Sequence, residues 1–199
     1  ARQRLTGAAV GLARPIQMCE TRTPVLVLGL GKVVCADDGA GIAAIHKLLR
    51  EYTMPEGVKA LDGGTLGLSL LPLVDSADRV ILVDAIKAEG PPGTQVRIEG
   101  DEVAPAVYER LSPHQIGVSD LLAGASLLDR YPESVVILGV VPESIELGLE
   151  RTPAVEAAIP ELVQRVVEEL TSLGYPPGPS EERDESHGST AYVARTLGV

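Results

Sequence analysis

The stretch from Pro24 to Leu49, PVLVLGLGKVVCADDGAGIAAIHKLL, constrains the fold more than any other part of the chain. Val25, Leu26, Val27 and Leu28 are consecutive apolar residues, the pattern of a short strand buried on both faces. Gly29-Leu30-Gly31 breaks the run and supplies the backbone freedom of a tight turn. Two adjacent carboxylates follow, Asp37 and Asp38, and then a second small-residue pair, Gly39 and Gly41. From Ile42 the apolar spacing becomes helical, through Ile45, Leu48 and Leu49. The unit is strand, glycine turn, carboxylate loop and helix. Such a loop lies at the carboxyl end of its strand, where open α/β sheets bind their ligands.

A glycine turn in that setting invites two nucleotide readings, and both fit poorly. The dinucleotide fingerprint wants Gly or Ala three residues after Gly31, where this chain has Val34, and the acidic pair would repel a pyrophosphate. A phosphate loop wants Ser or Thr after Gly31-Lys32, where this chain has Val33. No nucleotide cofactor is expected. A loop carrying two carboxylates suits a cation better.

The chain has 199 residues, 45% of them hydrophobic, enough for one well-buried domain. It has no Trp or Phe, so its core must be built from Leu, Val, Ile and Ala, as suits a parallel sheet flanked by helices. A formal net charge of -11 argues against nucleic acid and anionic membrane surfaces as partners. Two cysteines, Cys19 and Cys35, are too few for a disulfide framework or a Cys-based zinc site, which makes a reducing cytoplasm the expected setting. No apolar run approaches membrane-spanning length, and Arg14-Pro15 interrupts the only candidate for a signal segment. Residues 1–23 are expected to be a flexible basic leader. From Pro176-Pro177-Gly178-Pro179 onward, residues 176–199 are rich in Ser, Glu and Gly and are expected to be a mobile tail. The folded domain is therefore expected over 24–175.

Within it, Val58–Leu61 reads as a second strand that ends in Asp62-Gly63-Gly64-Thr65. Leu66–Val74 reads as a helix with Leu66, Leu70 and Leu73 on one face, kinked or shortened by Pro72. Arg79–Asp84 is the clearest internal strand, and Thr94–Ile98 is another. A Pro- and Gly-bounded loop over 111–117 precedes a helix expected near Ser119–Arg130, with Leu121, Leu122, Ala125 and Leu128 inward. Ser134–Val141 is a buried strand. Pro153–Leu173 is helical in spacing and is expected to bend at Pro160. Alternating strands and helices give a doubly wound, mostly parallel α/β sheet with helices on both faces, in a single domain.

Asp38, Asp84 and His114 stand at strand ends or in loops beside them. The carboxyl ends of parallel strands share one edge, so Asp38 and Asp84 should meet there, facing solvent, and His114 can join them if its loop lies over that edge. Two carboxylates and an imidazole form an oxygen, oxygen, nitrogen set for a divalent transition ion, with open positions for water or an incoming group. Each residue also has an ordinary reading. Asp84 could cap the next element, and His114 could fix its loop by a hydrogen bond. Asp37 is a supporting residue of the site or a cap for the helix beginning near Gly39. Asp62 is a reserve carboxylate, His46 a packed or surface side chain, and His187 a tail residue. Cys35 lies beside two carboxylates, whose charge disfavours a thiolate, and no Ser-His-Asp grouping is evident.

Several blocks, in order, extend this reading: GLGKVVCADDGAG at 29–41, LDGGTLG at 61–67, VDAI at 83–86, SPHQIG at 112–117, GVVPES at 139–144 and TPAVEAAI at 152–159. On these blocks the chain resembles the nickel–iron hydrogenase maturation endopeptidases, which trim the C-terminal extension from the hydrogenase large subunit. The resemblance covers about residues 24–175. It implies a single α/β domain, metal-contacting residues at Asp38, Asp84 and His114, and recognition of nickel already placed in the large-subunit precursor. It also implies a grouping with aspartic-type peptidases. One departure is Lys32, where the family usually has Asn; its cation could pair with Asp37 or Asp38, or point to solvent.

The leading expectation is thus a monomeric, metal-gated endopeptidase whose partner is the large-subunit precursor, with nickel carried by that substrate. The alternative is a non-hydrolytic nickel-binding assembly factor that uses the same three residues. For hydrolysis, either a metal-held water attacks the scissile carbonyl or Asp38 and Asp84 act as general base and acid around a shared water.

Overall fold

The computed structural model describes residues 22–109, Leu122 and 131–180. A five-stranded sheet forms the centre. Its strands are β1 (Thr23–Leu30), β3 (Val58–Gly64), β4 (Ala77–Ala85), β5 (Gln95–Glu99) and β6 (Ser134–Val140), in the order β3-β1-β4-β6-β5. Pairings β1–β3, β1–β4 and β4–β6 are parallel, and β5 joins β6 antiparallel at one edge. The expected mostly parallel sheet is therefore present, with one reversed edge strand.

Alternation along the strands sorts their apolar residues onto two faces. Leu26, Leu28, Val80, Leu82 and Ile137 enter one buried cluster; Val25, Val27, Ile81, Val83 and Leu138 enter the other. The second cluster is closed by helix α1 (Ala40–Glu51), through Ala44, Ile45 and Leu48, and by a long helix (Pro153–Ser172) through Val155, Ile159, Leu162 and Val166. The first is covered in part by α2 (Leu71–Asp75) and α3 (Val103–Glu109), with Leu70, Val74, Val103 and Ala106 turned inward. The long helix is α4. Helices on both faces of one sheet are what doubly apolar strands require.

Two local findings differ from the sequence reading. Leu66–Val74 is not one helix but a 3-10 turn, Gly67–Leu70, followed by α2. Pro72 sits in the first turn of α2, where its missing N–H costs nothing, so it helps start this helix rather than kink a longer one. Leu66 consequently lies outside the core, 42% exposed, while Leu70 is buried. Pro160 lies inside α4, which is helical on both sides of it. Gly178–Pro179 forms a short strand, β7, antiparallel to β2 (Tyr52–Thr53), and the Ser180 N–H donates to the Glu51 carbonyl at 2.9 Å, so packed chain continues past Tyr175.

On the reversed edge strand, Arg97 forks between Glu99 and Glu169 of α4, at 2.8 and 2.9 Å. The guanidinium beside Glu99 holds that carboxyl below its ordinary range. The loop and helix expected over 111–130 lie outside the described residues, apart from Leu122, which is helical and buried.

Candidate active site

The site is built where β1 stops. Gly31 has φ +124, and a Cβ there would stand 1.8 Å from the carbonyl oxygen of Asp38, so only glycine lets the chain fold back so closely. Residues Ala36–Gly39 form a 3-10 turn that leads into α1 and packs against β4. Gly41 completes the approach: a Cβ on it would meet the Val83 carbonyl oxygen at 2.1 Å. The two glycines thus bring the Asp38 turn down onto the end of β4, where Asp84 stands opposite Gly139 of β6.

Strands β1 and β4 are adjacent and parallel, so the turn carrying Asp38 and the end of β4 carrying Asp84 lie at the same edge of the sheet. Their environment differs from the solvent-facing edge expected. Both residues are 0% exposed. Asp38 Oδ2 accepts the Lys32 backbone N–H at 2.9 Å, whereas Oδ1, also buried, has no hydrogen-bond partner among the described residues. Asp84 Oδ1 accepts the Ala85 N–H at 2.7 Å. A buried carboxylate oxygen without a donor carries an unrelieved desolvation cost, and a cation at that oxygen is one way to relieve it. His114 lies outside the described residues. Among the described residues no group of three or more His, Cys, Asp or Glu side chains is arranged to hold a metal ion.

Asp37 is turned to a different task. It is fully buried, and Oδ2 accepts from the N–H groups of Glu143 and Ser144 at 2.9 and 3.0 Å and from Thr152 Oγ1 at 2.9 Å. Its Oδ1 accepts the Thr152 N–H at 2.7 Å. Asp37 therefore does not cap α1, which has no side-chain cap; it fastens the loop after β6, and the residue that opens α4, to the carboxylate turn. Backbone bonds reinforce the seam: Ala36 N–H to the Gly148 carbonyl at 2.8 Å and Gly148 N–H to the Val34 carbonyl at 3.0 Å.

The remaining candidates separate clearly. Lys32 reaches Asp38 through its backbone, and its ammonium pairs with no carboxylate among the described residues. Asp62, the reserve carboxylate, is 2.9 Å from His46 Nε2, which accounts for both residues as one pair across β3 and α1. Cys35 is a buried free thiol.

The family model described as hydrogenase maturation protease, HycI, matches residues 42–169, a span that includes Asp84 and begins shortly after Asp38. The hydrogenase 2 maturation protease of Escherichia coli strain K12 is 34% identical over 151 residues, covering 75% of this chain and 92% of that protein. This chain belongs to the hydrogenase maturation protease family. A hydrogenase expression/formation protein, HupD of Rhodobacter capsulatus, is 37% identical over 153 residues, covering 75% of this chain and 72% of its own. The hydrogenase maturating endopeptidase HybD from E. coli has the same fold, with a TM-score of 0.74 at 33% identity over 78% of this chain and 97% of that one. As a member of this protease family, the chain is a peptidase built on a mostly parallel sheet flanked by helices. No helix among its described residues is long and apolar enough to cross a membrane.

Proposed function

We propose that this maturation protease removes the C-terminal extension of a nickel–iron hydrogenase large-subunit precursor once nickel is in place, and that the precursor's own nickel is its recognition signal. The observation that carries the reading is the buried Oδ1 of Asp38, which has no hydrogen-bond partner among the described residues, at the same sheet edge as Asp84. Hard oxygen donors at a low-dielectric edge suit an ion that arrives with the substrate, because the ion relieves a cost the free enzyme bears. His114 is the third contact in this proposal. Nickel held by Asp38, Asp84 and His114 would supply Lewis-acid polarisation of the scissile carbonyl, while Asp38 and Asp84 position the attacking water and carry protons as general base and acid. Cys35 is too buried to present a nucleophile to a peptide. A carboxylate-based, aspartic-type route follows. The setting we propose is cytoplasmic, in keeping with a free thiol at Cys35.

The test offers nickel-loaded and nickel-free precursor to the wild type and to Asp84→Asn, following the released fragment by mass spectrometry. If bridging one ion contributes about 4 kcal/mol of selective interaction, loaded precursor is preferred roughly a thousandfold. Prompt cleavage of nickel-free precursor in a chelator would overturn the gate. Failure of the wild type to cut loaded precursor would overturn the substrate and leave the non-hydrolytic assembly role in its place.

A further inference from the structure

A trough with a volume of about 320 Å³ starts at Val33 and Gly39, beside the carboxylate turn, and follows α1 as far as Arg50, with Arg151 and Ile159 on its other wall. Its base is apolar: Ile42 and Ile159 are each 4% exposed. Its rim is cationic, formed by Lys47, Arg50 and Arg151 against one lining carboxylate, Glu156. This is the reverse of the molecule as a whole, whose formal net charge is -11.

The rim cations are available to an incoming anion. Lys47 is held by Glu51 at 2.5 Å and Arg151 by Glu156 at 2.7 Å, but the two glutamate side chains are 42% and 59% exposed, and exposed pairs of this kind have little net worth and exchange readily. Arg50 is exposed and pairs with no carboxylate among the described residues. From Gly39 to Arg50 the helix rises about 16 Å at 1.5 Å per residue, the reach of roughly five residues of extended chain at about 3.3 Å each. Side chains of an extended peptide point alternately to opposite sides, so one set can face the apolar base while the other meets the cations.

We infer that this trough is a subsite for an extended polypeptide segment carrying carboxylates, the part of the substrate that continues from the scissile bond down α1. The inference rests on the peptidase reading above and deepens it: the carboxylate edge cuts and the trough holds the segment beside the cut.

The experiment uses the isotope-labelled full chain, titrated with the pentapeptide Val-Glu-Val-Glu-Val and, as the control, Val-Lys-Val-Lys-Val, while amide shifts are followed by NMR. The glutamate peptide should shift amides within 39–50 and 151–159 and bind about tenfold more tightly than the lysine peptide, an advantage lost as salt is raised. Arg50→Glu and Arg151→Glu should each weaken it about tenfold, and Arg50→Gln, which avoids a reversed charge, should weaken it less. Equal binding of the two peptides, shifts elsewhere, or no saturable binding would overturn the subsite. The same variants acting on nickel-loaded precursor should show a raised KM with kcat held. A wild type that binds the glutamate peptide in the trough but cuts no precursor would overturn the proposed precursor substrate and leave the subsite standing.

Discussion

Asp37 and Asp38 are neighbours in sequence with opposite surroundings. Asp37 is saturated, its two oxygens accepting from Glu143, Ser144 and both the backbone and hydroxyl of Thr152. Asp38 keeps Oδ1 buried without a donor among the described residues. The two should therefore answer mutation in opposite ways. Asp37→Ala leaves four part-buried donors without their acceptor at once and should cost about 3 kcal/mol, read as a lower denaturant midpoint with an unchanged slope. Asp38→Asn swaps a costly buried charge for a neutral amide that can still accept from Lys32. It should leave the melting temperature unchanged or raise it while lowering kcat/KM on precursor at least about a hundredfold, since a site that holds unrelieved charge sacrifices stability for function. A fall in stability without loss of cleavage would mean that Asp38 is structural. The placement of Asp38 in the turn before α1 and of Asp84 near the end of β4 was legible in the sequence, because both follow from local pattern. The burial of both, and the role of Asp37, were not, because the partners of Asp37 lie 106 to 115 residues away.

At the scale of elements, what the sequence revealed tracks how much of each segment is apolar. Strands β1, β4 and β6 are continuous apolar runs buried on both faces, and α1 and α4 carry full helical stripes, so all five are visible locally. Helix α3 was missed: it is seven residues long and contains Pro105. The pair β2–β7 was missed for a different reason. Two residues a side have no periodicity to read, and their pairing is decided by where α1 ends and where α4 returns the chain. That small ladder has a measurable consequence. A chain ending at Tyr175 lacks the Gly178–Pro179 strand and the bond from Ser180 to Glu51, whereas one ending at Ser180 keeps both. Losing them should cost about 1 kcal/mol, so the shorter chain should melt about 2–4 °C lower. Equal melting temperatures would show that the ladder contributes nothing to the end of α1.

For the whole molecule, the sheet order β3-β1-β4-β6-β5 matters more than any one contact. Strand β1 pairs with β4, from Thr23 opposite Ala77 to Gly29 opposite Val83, although α1 and β3 lie between them in the chain. The two carboxylates of the site come from opposite sides of that pairing, so they meet only once it has closed. Closing so distant a contact is slow, whereas α1 and α4 can form helical turns within about a microsecond. On refolding from denaturant, most far-ultraviolet ellipticity should return in a fast phase, and competence to cut precursor should appear only with the slower one. Activity that returned ahead of the main ellipticity change would contradict this order. With Asp38 and Asp84 carrying cleavage as proposed, this strand order would keep a newly synthesised chain proteolytically inert until its central sheet has closed, which would make completion of folding the first checkpoint on its activity.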